Sequence, residues 1–427
     1  MEAKRTIGHN PDTIAASPPP FSLQTRMVVL TYLAYFFYYL TRKHLGVATH
    51  ALTEDGFSEK LIAAVQTGYG ACYAIGQFMS GALGDRIGPR IGLSLGMILS
   101  AIATLAFGIF PFVAVLAICF TLNGLFQATG WPNCCKVVTL WVSHAKRGRV
   151  MGFWLTCYIF GSLAANMIAG YILEHYGWRQ VFLFTGVTVL LVGIIQGLFL
   201  INTPEDAGYS FGEDAPEIAV ERGRGEGFSH MIREPAVLLL GFSYTGLKFV
   251  RYAFFAWLPY YLATAVGMSD GNSAYVSNGF EIGGVLGLLI GGIVADRFFP
   301  NNRCRLAFLA LIGMVAALVV YRMSSASSGL WGNVAGLAVI GFFLYIADAI
   351  ISGTAAQDIG GSGSAASAAG IINGIGSTSM LFAGMLPIAI KDRWGWDGVF
   401  VCFIILGVIS SAILLPLALR EKVGRAA

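Results

Sequence analysis

Long apolar runs alternate along the chain with short polar breaks. Twelve of the runs reach the roughly 20 residues that a helix needs to cross a bilayer. They fall at about 23–51, 61–83, 91–109, 112–141, 150–173, 180–202, 236–266, 274–297, 304–323, 331–355, 365–390 and 397–419. One long polar stretch interrupts them, at about 203–235, with Glu221-Arg222-Gly223-Arg224-Gly225-Glu226 and few large apolar residues. The pattern predicts an all-α membrane protein of twelve transmembrane helices in two pseudo-symmetric six-helix halves. The segments are a polar tail (1–21), a first half (22–202), a cytoplasmic linker (203–235), a second half (236–420) and a short tail (421–427).

Two of the runs break the rule that a spanning helix is apolar. The first holds Tyr35-Phe36-Phe37-Tyr38-Tyr39-Leu40-Thr41-Arg42-Lys43-His44, and the seventh holds Gly246-Leu247-Lys248-Phe249-Val250-Arg251-Tyr252. An arginine near the centre of a bilayer helix costs roughly 2.5–3.5 kcal/mol on insertion scales, so it normally faces a polar cavity inside the bundle. Other features repeat in nearly the same register. Span two ends in Gly84-Asp85-Arg86 and span eight in Ala295-Asp296-Arg297. Trp178 follows Gly177 before span six, and Trp396 follows Gly395 before span twelve. The offsets are 209 residues for Arg42 to Arg251, 211 for Asp85 to Asp296 and 218 for Trp178 to Trp396. The two arginines therefore hold equivalent places in the two halves.

Composition agrees. The 427 residues are 56% hydrophobic and only 12% charged, about half the charged share usual in soluble proteins. Mean hydropathy is +0.70. The surplus of positive charge reports topology rather than a nucleic-acid partner. With both termini in the cytoplasm, 17 of the 27 Lys and Arg lie on that side, five on the other, and five (Arg42, Lys43, Lys136, Lys248 and Arg251) within spans. This predicts a multi-pass protein of the plasma or bacterial inner membrane. The polar start lacks a signal-peptide core, so the first run is kept as a real helix. The seven cysteines imply no disulfide framework. Gly360-Gly361-Ser362-Gly363-Ser364 lacks the Gly-Lys-Ser/Thr of a phosphate loop and reads as a cytoplasmic turn. There is no metal-ligand spacing and no nucleophile motif, so no enzyme, metal or cofactor is expected.

The candidate chemistry is anion binding. Few acids lie near the midplane, Glu281 in span eight and Asp348 in span ten being the main ones. Cations outnumber them, so an anionic ligand is the natural partner for the surplus. Paired guanidinium forks suit an oxyanion such as phosphate, because each binds bidentately and stays charged. Arg42 and Arg251 are thus expected to bind substrate. Lys43 is expected to pair with Glu281, either as a gate or as a structural pair. Lys248, three residues before Arg251, either joins the site or reaches a carboxylate or the interface. Lys136 is expected to snorkel to the interface. Tyr35 and Tyr39 continue the stripe of Arg42, and Tyr73 adds a further hydroxyl; each either binds anion oxygens or packs helices. Asp85-Arg86 and Asp296-Arg297 are expected to form ion pairs at the cytoplasmic ends of their spans.

Tyr38-Tyr39-Leu40-Thr41-Arg42-Lys43, Asn123-Gly124-Leu125-Phe126-Gln127-Ala128-Thr129-Gly130-Trp131-Pro132 and Gly84-Asp85-Arg86 resemble the organophosphate:phosphate antiporters of the major facilitator superfamily. The likeness covers nearly the whole chain outside the tail and linker. It implies two parallel six-helix halves rocking about a midplane site, and exchange of an organic phosphate for inorganic phosphate, with the bilayer as the only other partner of a monomer. The family's two phosphate-binding arginines fall on Arg42 and Arg251, and its site tyrosines match Tyr35, Tyr39 and Tyr73. Four positions depart from the bacterial members. Gln77 stands for a lysine in span two, Tyr158 for a histidine in span five, Ala256 for an acid in span seven, and Lys248 for a tyrosine. Two other functions fit the same residues: a sugar-phosphate sensor that does not transport, and a proton-coupled symporter of a carboxylate or phosphonate using Glu281, Asp348 or His44.

Overall fold

The structure is a computed structural model that describes residues 18–143, 150–151, 153–211 and 230–420; within these, the side chains at 77–86, 296, 354, 356–357 and 360–367 lie outside the described residues. The helices follow the apolar runs. Span one is two helices, α1 (Phe21–Tyr38) and α2 (Leu40–Glu54). Spans two and three are α3 (Glu59–Ile87) and α4 (Pro89–Ile109), and span four is α5 (Val113–Gln127) with α6 (Gly130–Trp141). Spans five and six are α7 (Thr156–Tyr176) and α8 (Trp178–Phe199). The second half holds α9 (Pro235–Thr264), α10 (Asp270–Phe298), α11 (Arg303–Ser324) and α12 (Gly329–Ala349) as spans seven to ten. Span eleven comprises α13 (Ala355–Ser377), α14 (Met380–Ala383) and the start of α15 (Met385–Ala418), which ends in span twelve. A π-helical turn, Ile350–Thr354, joins α12 to α13. Residues 360–364, expected as a turn, are helical and lie inside α13. These small residues, Gly-Gly-Ser-Gly-Ser, leave the backbone free to continue the helix that begins at Ala355. The linker's Glu221–Glu226 stretch lies outside the described residues.

Gly177 and Gly395 adopt positive φ (79° and 67°), a region that costs glycine nothing, and so turn the chain between spans five and six and between eleven and twelve. The tryptophan after each glycine then makes an equivalent bond. Trp178 Nε1 donates to Asp55 Oδ2 (2.6 Å) just past span one. Trp396 Nε1 donates to Thr264 Oγ1 (3.1 Å) at the end of span seven. Asp55 and Thr264 are 209 residues apart, the same offset as the two arginines. The repeat therefore extends to the bonds that hold each half's first span to its last.

By length and apolarity alone, eight helical stretches among the described residues can cross a membrane. Spans one, two, seven and eleven fall outside that set, with α15 counted once for span twelve. Two of these shortfalls have an evident cause in the residues. Span one carries Arg42, Lys43 and His44 and breaks at Tyr39, where Tyr39 N–H bonds Phe36 O and Arg42 N–H bonds Tyr39 O, both at 3.2 Å. Such three-residue steps within a helix are typical of hinges. Span seven carries Lys248 and Arg251. Spans two and eleven are partly outside the described side chains; span eleven is apolar over Ala368–Ala383, through the break between α13 and α14 where Thr378 N–H bonds Ile375 O at 3.2 Å.

At the end of the bundle away from the linker, polar contacts tie the halves together. Glu59 of α3 meets both Lys391 and the Tyr260 hydroxyl. Lys60 pairs with Asp392 at 3.1 Å. His50 Nδ1 meets Asp270 Oδ1 at 2.8 Å. Deeper in, Asn166 Nδ2 donates to Asn278 Oδ1 at 2.9 Å between α7 and α10. These contacts close that end of the central space. Glu59→Gln removes a charge that serves two partners across the halves, so it should open this end more often. In a background lacking the native cysteines, a membrane-impermeant thiol reagent added from this side should label Ala383→Cys several-fold faster with Glu59→Gln than without it. Equal labelling rates would show that these contacts do not hold the end shut.

Candidate functional site

A cavity of about 230 Å³ lies between the halves, lined by Tyr35, Tyr39, Arg42, Gln66, Tyr69 and Tyr73 from the first and by Arg251, Tyr252, Phe255 and Ala256 from the second. Met380, Ala383 and Gly384 of span eleven complete it. Apart from Phe120 of span four, the lining comes from spans one, two, seven and eleven. Gly46 allows α2 to approach α9 here: a Cβ on it would sit 3.1 Å from Ala256 O.

Among the described residues, no carboxylate holds Arg42. Its Nε donates to Gln127 Oε1 at 2.8 Å, and Tyr69 donates to the same oxygen at 3.1 Å. The Gln127 amide is oriented from behind, since its Nε2 donates to Thr41 Oγ1 at 3.0 Å. Asn123 Nδ2 donates to Thr41 O at 2.8 Å and accepts from Ser100 through Oδ1 at 2.6 Å. The rings of Tyr39, Tyr73 and Tyr35 surround the guanidinium, with centroids 4.8, 5.2 and 5.7 Å from Cζ. Desolvated cation–π contacts of this kind are worth up to about 2 kcal/mol each. Nη2 is enclosed and has no hydrogen-bond partner. The Asn-Gly-x-x-Gln segment thus has a local purpose. Asn123 and Gln127 brace the arginine helix, and at Gly124 a Cβ would lie 2.2 Å from Tyr69 O, so only glycine lets α5 come this close to α3. Gly130 and Trp131 pack on Tyr38 and Tyr35.

Arg251 differs. Its Nη1 donates to both oxygens of Asp348, each at 3.2 Å, and its Cζ stands 4.7 Å from the Tyr345 ring centroid. The Tyr244 hydroxyl donates to Asp348 Oδ1 at 2.8 Å. Arg251 also lines a second, small cavity of about 30 Å³ together with Lys43, Tyr158, Ser162, Glu281 and Tyr345. There Lys43 Nζ pairs with Glu281 Oε1 at 3.3 Å, with the two side chains 7% and 6% exposed. Ser162 donates to Oε1 of Glu281 at 2.7 Å and Tyr345 to Oε2 at 2.6 Å. The carboxylate therefore joins span one and span five of one half to spans eight and ten of the other.

Of the residues singled out from sequence, Arg42, Arg251, Tyr35, Tyr39 and Tyr73 share the main cavity, and Lys43, Glu281 and Tyr158 share the smaller one. Asp348 reaches the site through Arg251. Lys248 lines neither cavity. Its Nζ donates to Ser377 Oγ at 2.8 Å and Asn373 Oδ1 at 3.2 Å, over the Tyr244 ring. His44 is buried between Phe120 and Phe182, away from both cavities. Arg297 is exposed, over the Phe298 ring. The side chains of Gln77, Asp85, Arg86 and Asp296 lie outside the described residues. Gln127, Tyr69, Phe255 and Ser162 were not expected at the site. Gln127 stood within a quoted motif, but a neutral amide gives no hint of which cation it holds.

Two arginines from opposite halves facing one enclosed space define a polytopic membrane protein of paired six-helix halves. The chain belongs to the Major Facilitator Superfamily, which it matches over residues 31–385, and within it to the organophosphate:phosphate antiporter family. It is 29% identical to the glycerol-3-phosphate transporter of Bacillus subtilis, over 95% of this chain and 94% of that one. It is 30% identical to putative glycerol-3-phosphate transporter 5 of Arabidopsis thaliana (93% and 91% covered) and to sugar phosphate exchanger 3 of Homo sapiens (82% and 78%). A bacterial homologue of the human lysosomal transporter Spinster, solved in an inward-facing unoccupied conformation, superposes with a TM-score of 0.79 at 16% identity, over 96% of this chain and all of that one. That likeness concerns the fold.

Breaking the Lys43–Glu281 pair from one side leaves a buried charge unpaired, which costs on the order of 3 kcal/mol or more. Lys43→Met and Glu281→Gln should each lower the unfolding temperature markedly, and the double variant should recover most of the loss. Additive losses, measured by thermal unfolding in detergent, would show that the two groups are not coupled.

Proposed function

We propose that the protein is a secondary transporter that exchanges a small phosphorylated organic anion for inorganic phosphate by alternating access. The observation that carries this reading is the meeting of Arg42 and Arg251, equivalent residues of two repeated halves, at one cavity. Their N–H donors exceed what Gln127 and Asp348 accept, and an oxyanion is the group that meets several at once. The names of the relatives supply the substrate class: glycerol 3-phosphate, hexose phosphate and sugar phosphate. The cavity lies below the roughly 300 Å³ at the lower end for drug-sized ligands, so the organic part is small. Tyr252, Phe255 and Ala256 would face that part, and Gln66, whose Nε2 lacks a partner, is the polar group placed to read it.

In the proposed cycle the two halves, 22–202 and 236–420, rock about the site while the 203–235 linker joins them in the cytoplasm, where both termini also lie. Tyr35, Tyr39 and Tyr73 bind the anion beside the arginines, and Tyr158 completes the wall toward Lys43. Ligand contact with both arginines favours the occluded state, and only a differential contact of this kind can shift the equilibrium between states. Release leaves Arg42 short of partners in a low-dielectric site, which disfavours return of the empty carrier and makes exchange the preferred mode. The Lys43–Glu281 pair acts as a gate between the halves. The protein works as a monomer in the plasma or inner membrane, and no covalent step is involved.

Counterflow in proteoliposomes tests this. Labelled phosphate outside should enter vesicles loaded with phosphate and not empty ones at the same pH. Arg42→Lys and Arg251→Lys should each reduce this uptake to about a tenth or less, since an ammonium cannot reproduce the planar fork. Near-normal uptake by either variant at equal membrane levels would sink the two-arginine clamp. Binding without flux would instead support a sensor, and uptake that ignores internal phosphate but collapses with an uncoupler would support symport.

A further inference from the structure

The two arginines are tethered alike but not with the same charge. Arg42 is held through one nitrogen, Nε, by the neutral Gln127, and Arg251 through one nitrogen, Nη1, by the carboxylate of Asp348. Among the described residues, the hydrogen bonds of Arg251 all leave from Nη1, and its Nε and Nη2 edge makes none. A carboxylate that competed for the ligand's place would engage that edge as a fork. Asp348 instead approaches from the end of the guanidinium and is itself held there by Tyr244.

We propose that Asp348 is the positioning and charge-setting residue of the site. It aims Arg251 and cancels much of its charge, so that Arg42 captures the anion first and Arg251 closes on it second. The proposal rests on the phosphate reading above. Among the described residues, the polar cluster holds four cations (Arg42, Lys43, Lys248 and Arg251) against two carboxylates (Glu281 and Asp348), an excess of two. Asp348 sets that excess at the arginine that must later let go. With a neutral group in its place, both jaws would carry full charge, and an anion would bind tightly but leave slowly. Transport needs the opposite balance. A doubly charged ligand also gains twice as much as a singly charged one from each added positive charge. The tether therefore governs how strongly the site prefers the doubly ionised form of phosphate.

The test is equilibrium binding of labelled inorganic phosphate to the full chain in nanodiscs, from about pH 6 to about pH 8, across its second ionisation. Asp348→Asn keeps an oxygen for Nη1 and Tyr244 but removes the charge. It should tighten phosphate binding about tenfold, steepen the gain in affinity with pH, and slow exchange in proteoliposomes. Gln127→Glu adds a charge at the other tether and should do the reverse: about tenfold weaker binding and a flatter pH profile. Opposite shifts of the two variants support the proposal. Affinities and pH slopes unchanged from wild type, or both variants weaker, overturn it. Should Asp348→Asn fail to fold, Gln127→Glu decides alone, with an unchanged pH profile overturning the proposal. Absence of phosphate binding by the wild-type protein would instead overturn the functional reading itself, whatever the variants do.

Discussion

The constraint on which the rest depends is a guanidinium in the middle of a membrane with no carboxylate beside it among the described residues. Insertion alone costs Arg42 roughly 2.5–3.5 kcal/mol. The protein offsets this with neutral groups: one amide oxygen and three aromatic faces. Those groups need bracing of their own, and the chain from Gln127 through Thr41 to Asn123 and Ser100 provides it across spans one, three and four. Such bracing stabilises the cation without neutralising it. Its charge is left to act on whatever enters the cavity.

Two other cations near the midplane are treated differently, Lys43 having Glu281 and Arg251 having Asp348, while Lys248, like Arg42, is held by neutral groups, a hydroxyl and an amide. Of the two charge pairs, Lys43–Glu281 crosses between the halves and must break or shift if the halves rock. The far end carries a second set of contacts between halves, on more exposed side chains, where ion pairs are individually worth little and are easily exchanged for water. A strong buried lock at the midplane and several weak ones at the rim suit a structure that opens at one end while keeping its centre registered.

Much of this was legible in the sequence. Apolar runs set the helices, and the 209-residue offset put Arg42 and Arg251 in equivalent places. The same offset, applied to Asp55 and Thr264, would have found the tryptophan bonds as well. Other features were not legible, for physical reasons. Helical spacing put Lys248 on the face of Arg251, but three residues leave an angle of some 60° between side chains, enough to send its ammonium toward Asn373 and Ser377 instead. The glycine-serine run at 360–364 carried turn composition, and turn composition also describes a small-residue helix. Gln127 was hidden because a neutral partner leaves no trace in a count of charges.

The repeat also shows where the two halves have parted. In each, a residue of the fourth span of the half tethers the arginine of its first span: span four to span one, and span ten to span seven. The sequence separation is 85 residues in the first case and 97 in the second. Loop length accounts for part of this difference, since the tryptophan offset already exceeds the arginine offset by nine residues. Close backbone approaches mark equivalent levels: a Cβ on Gly124 would meet Tyr69 O and one on Gly341 would meet Phe280 O, and Gln127 lies three residues after the first glycine while Asp348 lies seven after the second. The two halves reach the same arrangement, a tether on one guanidinium nitrogen, from levels about one helical turn apart and with side chains of different charge. The repeated backbone accounts for where the arginines are. The divergence of their tethers accounts for why the two sides of the cavity need not behave alike.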